Sequence, residues 1–147
     1  MSVSRVMQAI YDRLAGDEPL RYMLAEDPDT HLPAVYDTWT HHETGPYVTL
    51  TTQVDDTLDR AIDQGSIQVD VWDRGPQTQG RVSVLDIRDR IVAILDQYYD
   101  RSGPSLIRFY KSGESPENED SGRMRRWRLT FVVRWGRATD IRKSEVI

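Results

Sequence analysis

The stretch RMRRWRLTFVVRWGR, residues 123–137, gathers the side chains with the most chemistry to offer. Arginine is a planar fork of donors that grips a carboxylate or a phosphate. The run therefore suits a strand that touches nucleic acid or a strand at a protein interface. In an extended chain, successive side chains point to opposite faces. Trp127, Leu129, Phe131, Val133 and Trp135 then share one face, and Met124, Arg126, Arg128, Thr130, Val132 and Arg134 share the other. The aromatic residues belong to the core face, away from the cations. Nucleic acid wants bases stacked on aromatics beside the cations, so this separation weighs against it. Three uses of the arginine face stay open: pairing with acids on neighbouring strands, Asp70 among them, meeting an acidic surface of another subunit, or touching nucleic acid. The acidic run just ahead, Glu114 to Asp120, is a natural complement in the same chain or the next. The interface candidates are Arg126, Arg128, Arg134, Glu114, Glu117, Glu119 and Asp120.

Other chemistry is harder to find. The histidines are His31, His41 and His42, the last two followed by Glu43. Adjacent side chains on an extended chain point apart, and no HExxH spacing is present, so a polar loop is expected and no metal site. ENEDSG (117–122) hints at a calcium loop. With Glu117 at its first position, Arg128 falls at the twelfth, where a bidentate glutamate belongs. Asp55, Asp56, Asp59 and Asp63 read as solvated surface. GxSxG, P-loop and GxGxxG patterns are absent. No catalytic residue, cofactor or metal is expected.

These residues must be positioned by one domain, since the chain has 147 residues. There is no cysteine, which excludes disulfides, thiolate zinc sites and cysteine nucleophiles. The N-terminus lacks a signal-like apolar core, and no apolar run is long enough to span a membrane. The protein is expected to be soluble and made in a cytoplasm. Its net charge is −5, unevenly spread. Residues 123–143 hold eight basic residues against one acid, Asp140, a local +7 that leaves −12 on the remainder. An acidic whole is a poor general binder of nucleic acid.

Apolar spacing predicts a helix over 3–14 (Val3, Val6, Met7, Ile10, Leu14), stopped by Gly16. DEPLRYML fits a short second helix with Pro19 in its first turn. Residues 25–46 read as loop, with a short extended piece around Val35–Trp39. Clean alternation predicts strands over 47–54 and 66–72, the second with Ile67, Val69 and Val71 inward and Gln68, Asp70 and Trp72 outward. Residues 81–98 form the best helix, striped by Val84, Ile87, Ile91, Ile94, Leu95 and Tyr98. A strand over 105–111 and a polar loop over 112–122 precede the arginine strand. The expected fold is α+β: a mainly antiparallel four-stranded sheet, with an N-terminal helix and a long central helix packed on it. Residues 1–137 make a single domain, and 138–147 a C-terminal tail open to being flexible.

The order GPYVTLTT, SIQVDVWDRG, a helix closing in AILDQ, then RRWRLTFVVRW resembles the tail-completion, or tail-terminator, proteins of long-tailed bacteriophages. AIYDRLAGDEPLRYML fits their opening helix. The resemblance spans residues 3–136, and VDVW followed by the long helix is its most specific piece. It implies a structural, non-enzymatic virion protein of the tail or neck, assembled in the host cytoplasm. Such subunits form a ring, typically a hexamer, that caps the tail tube, stops its polymerisation and offers a surface for head joining. The implied partners are further copies of the chain, the major tail tube protein and the head–tail connector. DNA would pass through the channel without specific binding, and no membrane is involved. The physics agrees: a ring subunit needs one patch that fits a different patch on its neighbour. The alternatives are another neck or minor tail protein, such as a head-closure protein, or a nucleic-acid-binding module using the basic C-terminal strand.

Overall fold

The structure is a computed structural model that describes residues 3–37, 45–54, 62–74, 84–101, 105–117 and 124–137. In chain order the elements are α1 (Val3–Ala15), α2 (Glu18–Met23), β1 (Val35–Tyr36), β2 (Tyr47–Val54), β3 (Ile62–Arg74), α3 (Val84–Leu95), β4 (Tyr99–Asp100), β5 (Ser105–Pro116) and β6 (Met124–Arg137). The strands form one curled sheet in the order β1-β2-β3-β6-β5-β4. β1 runs parallel to β2, and all other neighbours are antiparallel.

This corrects the expected architecture. The sheet has six strands and is mixed, so it is not the four-stranded, mainly antiparallel sheet that the alternation suggested. The helix expected to be long is α3, with 12 residues, one fewer than α1. The two added strands, β1 and β4, are two-residue edges. Pieces that short show no periodicity in a sequence. They exist because the sheet's flanks supply backbone partners: Val48 N–H donates to the Ala34 carbonyl, and Phe109 N–H to the Tyr98 carbonyl. β3 and β5 also outrun their expected lengths. Residues 62–65 and 112–116 have turn-like composition, but β6 is long enough to pair both, and such pairing overrides weak local preference. β5 continues through a bulge between Lys111 and Gly113, where Ser112 has no register partner and its hydroxyl donates to the Thr130 carbonyl of β6 at 3.1 Å.

One face of the sheet carries the core. Val48 and Leu50 of β2, Ile67, Val69 and Val71 of β3, Leu129, Phe131 and Val133 of β6, and Ile107 and Phe109 of β5 are all buried. Onto them α1 sets Val6, Ala9, Ile10 and Leu14, and α3 sets Val84, Ile87, Ile91, Ile94 and Leu95. The position after α1 takes glycine for a steric reason: a Cβ on Gly16 would sit 2.8 Å from the Asp12 carbonyl oxygen. Asp17 caps α2 by accepting from Leu20 N–H. Both of its carboxylate oxygens also accept from Arg90 of α3, at 2.7 and 2.8 Å. The Arg90 guanidinium holds the Asp17 carboxyl below the usual range, with the Leu20 N–H adding to it. Arg5 of α1 reaches Asp100 of β4 at 3.0 Å, fastening the first helix to that edge of the sheet.

Candidate functional site

The second face of the sheet carries the polar residues, and the arginine strand runs through its middle. Alternation places Arg126, Arg128, Thr130, Val132 and Arg134 there, while Leu129, Phe131, Val133 and Trp135 are buried against the helices. Register then brings partners from the strands on either side.

At the β1–β2–β3 end, aromatics and an arginine form a ladder. Tyr47 and Trp72 are register partners and stack with ring centroids 5.8 Å apart and planes 3° from parallel. Tyr36 meets Tyr47 edge-on at 6.4 Å. Trp72 donates its Nε1–H to Thr49 Oγ1 at 2.9 Å. Arg126, opposite Trp72 in β6, lies over its ring at 4.6 Å, a favourable cation–π placement. Burial and a hydrogen bond to Asp27 push the Tyr36 hydroxyl up to about 12. Trp72 points outward as its alternation demands, yet is only 3% exposed, because Tyr47 and Arg126 cover it.

Arg128 stands directly opposite Asp70. It donates Nε–H to Oδ1 at 3.0 Å and Nη2–H to Oδ2 at 3.4 Å. Asp70 is buried and holds the Arg128 guanidinium pKa above its ordinary value. Of the three uses open to the arginine face, pairing with an acid on a neighbouring strand is therefore realised at Arg128. Arg126 also has Glu117 at 3.9 Å, a loose contact.

Glu114 takes another side. The β5 bulge shifts the alternation, so Glu114 stands opposite Leu129 and faces the helices. It accepts from Arg88 of α3 at 3.0 and 2.5 Å and from Lys111 at 3.0 Å. Arg88, then Lys111, keeps its carboxyl below the usual range. Arg88 also pairs with Asp89. Glu114 and Glu117 thus do not form one acidic patch. Glu119, Asp120, the His41–His42–Glu43 run, Asp55, Asp56, Asp59 and the tail 138–147 lie outside the described residues.

Arg134 stands opposite Gln64 on one side and Arg108 of β5 on the other. Arg108 in turn stands opposite Tyr99 of β4. Its guanidinium carbon is 5.3 Å from the Tyr99 ring centre and 4.9 Å from that of Tyr110. Arg101 lies 4.6 Å over the same Tyr99 ring. Aromatics are thus interleaved with arginines on this face after all, contributed by neighbouring strands. Reading β6 alone misses Tyr99, Arg101, Arg108 and Tyr110, since cross-strand neighbours leave no mark in a single strand's alternation. Among the described residues no group of three His, Cys, Asp or Glu could hold a metal, and no helix is long and apolar enough to cross a membrane.

The fold is thus a mixed, curled sheet with a structured polar face. The chain belongs to the family described as Tail completion protein gp17, whose profile matches residues 8–136. It is accordingly a structural virion component of a phage-type tail. Its fold is similar to a chain in a solved structure, "Virion of native gene transfer agent (GTA) particle", with a TM-score of 0.70 and 21% identity, covering 92% of this chain and 98% of that one. A second solved structure has a TM-score of 0.63 and 18% identity, over 92% of this chain and 96% of the other. No curated protein matches the chain in sequence.

Proposed function

We propose that the protein is a tail terminator: a ring, hexameric by the family resemblance, that caps the tail tube, stops its polymerisation and presents a surface to the head connector. The observation that carries this reading is the family match over residues 8–136. The fold shared with a chain of a virion structure supports it. Arg126, Arg128, Arg134, Glu114, Glu117, Glu119 and Asp120 are proposed as subunit-interface residues, with the first two already braced within the chain. Arginine braced by a carboxylate or a ring loses little freedom when a partner arrives, so bracing is compatible with an interface role. DNA crosses the ring without specific contacts, in keeping with the acidic whole.

The test is tube assembly in vitro. Purified tail tube protein is polymerised with and without this protein, and tube lengths are measured by electron microscopy. A terminator arrests growth at a stoichiometry of one ring per tube. A head-closure protein leaves tube length unchanged and binds only to filled heads, which would move the protein one step along the neck.

A further inference from the structure

Two opposite corners of the sheet carry complementary chemistry. At the β4 edge, Arg101 and Arg108 lie over the rings of Tyr99 and Tyr110 at the distances given above, and Arg134 stands opposite Arg108 in the next strand. Arg101 is exposed, and the other four are half-buried. Arg108, Arg134 and Tyr110 each make a further contact within the chain, so the patch is partly ordered in advance. Tyrosine and arginine are the side chains that concentrate binding energy at protein interfaces. Asp100, beside Tyr99 and Arg101 in the chain, is buried on the other side of the sheet and held by Arg5.

At the β1 edge the chemistry reverses. The turn that follows α2 exposes Glu26 and Asp29. Asp27 between them is committed to the turn, accepting from Asp29 N–H, Thr30 N–H and the Tyr36 hydroxyl. Ala25 N–H bonds the Pro46 carbonyl, and Ala34 bonds both Ala25 and Val48, which ties this turn to the start of β2. Tyr22 stands beside it, 80% exposed, on the rim of an open hollow of about 520 Å³ bordered by Glu18, Arg21, Glu26 and His31, acidic on balance, with Glu26 also 3.3 Å from His31 Nδ1.

The two corners cannot serve each other. β1 and β4 are the outermost strands of six, five spacings or roughly 24 Å apart along the sheet. They also lie toward opposite strand ends. β1 covers the start of β2, while Arg134 is near the end of β6, eight residues or about 27 Å beyond Arg126. Complementary patches that cannot meet within a chain are free to meet between chains, and a patch that fits a different patch makes a head-to-tail contact, which gives a ring where the rotation closes.

We infer that the Tyr99–Arg108–Arg134 patch of one copy receives the Glu26–Asp29 turn of the next, making this the subunit contact of the ring. The inference rests on the ring reading and names its surfaces. Glu26 and Asp29 supply the carboxylates, and Tyr22 lies against the tyrosine rings of the patch. Nucleic acid is the weaker occupant, because the chain as a whole is acidic.

The test uses the full chain, which has no cysteine of its own. Native mass spectrometry first scores the wild type, free and on tube ends. A chain carrying Arg101→Cys and Asp29→Cys is then oxidised under the same conditions. Disulfides need Cα atoms within about 7 Å, so a ladder of covalent multimers that reduction abolishes is expected. In parallel, Arg108→Glu with Arg134→Glu, and Glu26→Arg with Asp29→Arg, should each weaken self-assembly at least about tenfold. Mixing the two variants should restore pairwise association. A wild type that forms rings while the cysteine variant gives no ladder and the charge reversals assemble normally overturns this contact and leaves the ring standing. A wild type that stays monomeric in solution and on tubes overturns both. Binding of duplex or single-stranded DNA that Arg108→Glu with Arg134→Glu abolishes, with assembly intact, gives the patch to nucleic acid and overturns the inference.

Discussion

The two ends of the sheet's polar face use the same residue types for different ends. Around β2 and β3, Tyr47, Trp72, Arg126, Asp70 and Arg128 close on one another, leaving Trp72 3% and Asp70 5% exposed. Around β4 and β5, Tyr99, Arg108 and Tyr110 stay half-exposed with Arg101 open to solvent. A side chain whose polar and apolar surfaces are both covered has become structure. One held in position with surface to spare is ready for a partner. What separates them is the buried carboxylate: Asp70 stands on the outer face beside Arg128, whereas Asp100 of β4 faces the helices.

That contrast can be broken by substitution. The largest effect belongs to Trp72→Ala, which removes a covered indole and should cost about 3–5 kcal/mol of stability by urea or thermal melting. Asp70→Ala comes next, at about 3 kcal/mol, because it strands a partly buried guanidinium. Loss of stability near zero in either variant would mean that this end is as open to a partner as the other. Glu114→Gln, on the helix side, should cost about 1–2 kcal/mol. Smallest of all, Arg134→Gln should shift melting by less than about 1 kcal/mol, and a larger loss would erase the contrast.

Acid sharpens the same picture. Glu114 and Asp17 have folded-state values below the ordinary carboxylate range, set by Arg88 and Arg90 respectively. The folded protein therefore binds fewer protons than the unfolded chain near those values. Their contribution is fully present above the unfolded value of about 4 and is lost as pH falls through the lowered folded ones. Melting temperature should drop as pH falls below about 4, and Glu114→Gln should melt with a shallower dependence on pH there. A variant as steep as wild type would remove Glu114 from the account.

Much of the arginine strand was legible in its sequence. Strict alternation from Trp127 to Trp135 sorted core from polar face, and Asp70 was visible as a partner for Arg128 because both fell on outward positions. The helix over residues 3–14 and the short one at DEPLRYML were equally plain, since spacing and capping are local. The sheet as a whole was not. β1 and β4 are held by backbone groups of β2 and β5, and no side-chain pattern encodes them. The second half of β5 hid behind Gly113 and Pro116, residues that mark a turn unless a long neighbour supplies the pairing. The Tyr99–Arg108–Arg134 patch depends on three strands being adjacent, which is a property of topology. In the sequence Glu114 belongs to an acidic run, and only the bulge sends it to α3.

The β5 bulge resets the phase of its strand. A strand is a two-beat rhythm, and Ser112 is an extra half-beat: every residue after it arrives on the opposite side of the sheet. Were the rhythm to run on unbroken from Lys111↔Phe131, Glu114 would come up opposite Arg128. α3 would lose its anchor at Arg88, and the polar face would gain a negative charge beside Asp70. One serine outside the register thus acts as a phase switch that keeps Glu114 on the helix side, away from the arginines of the outer face.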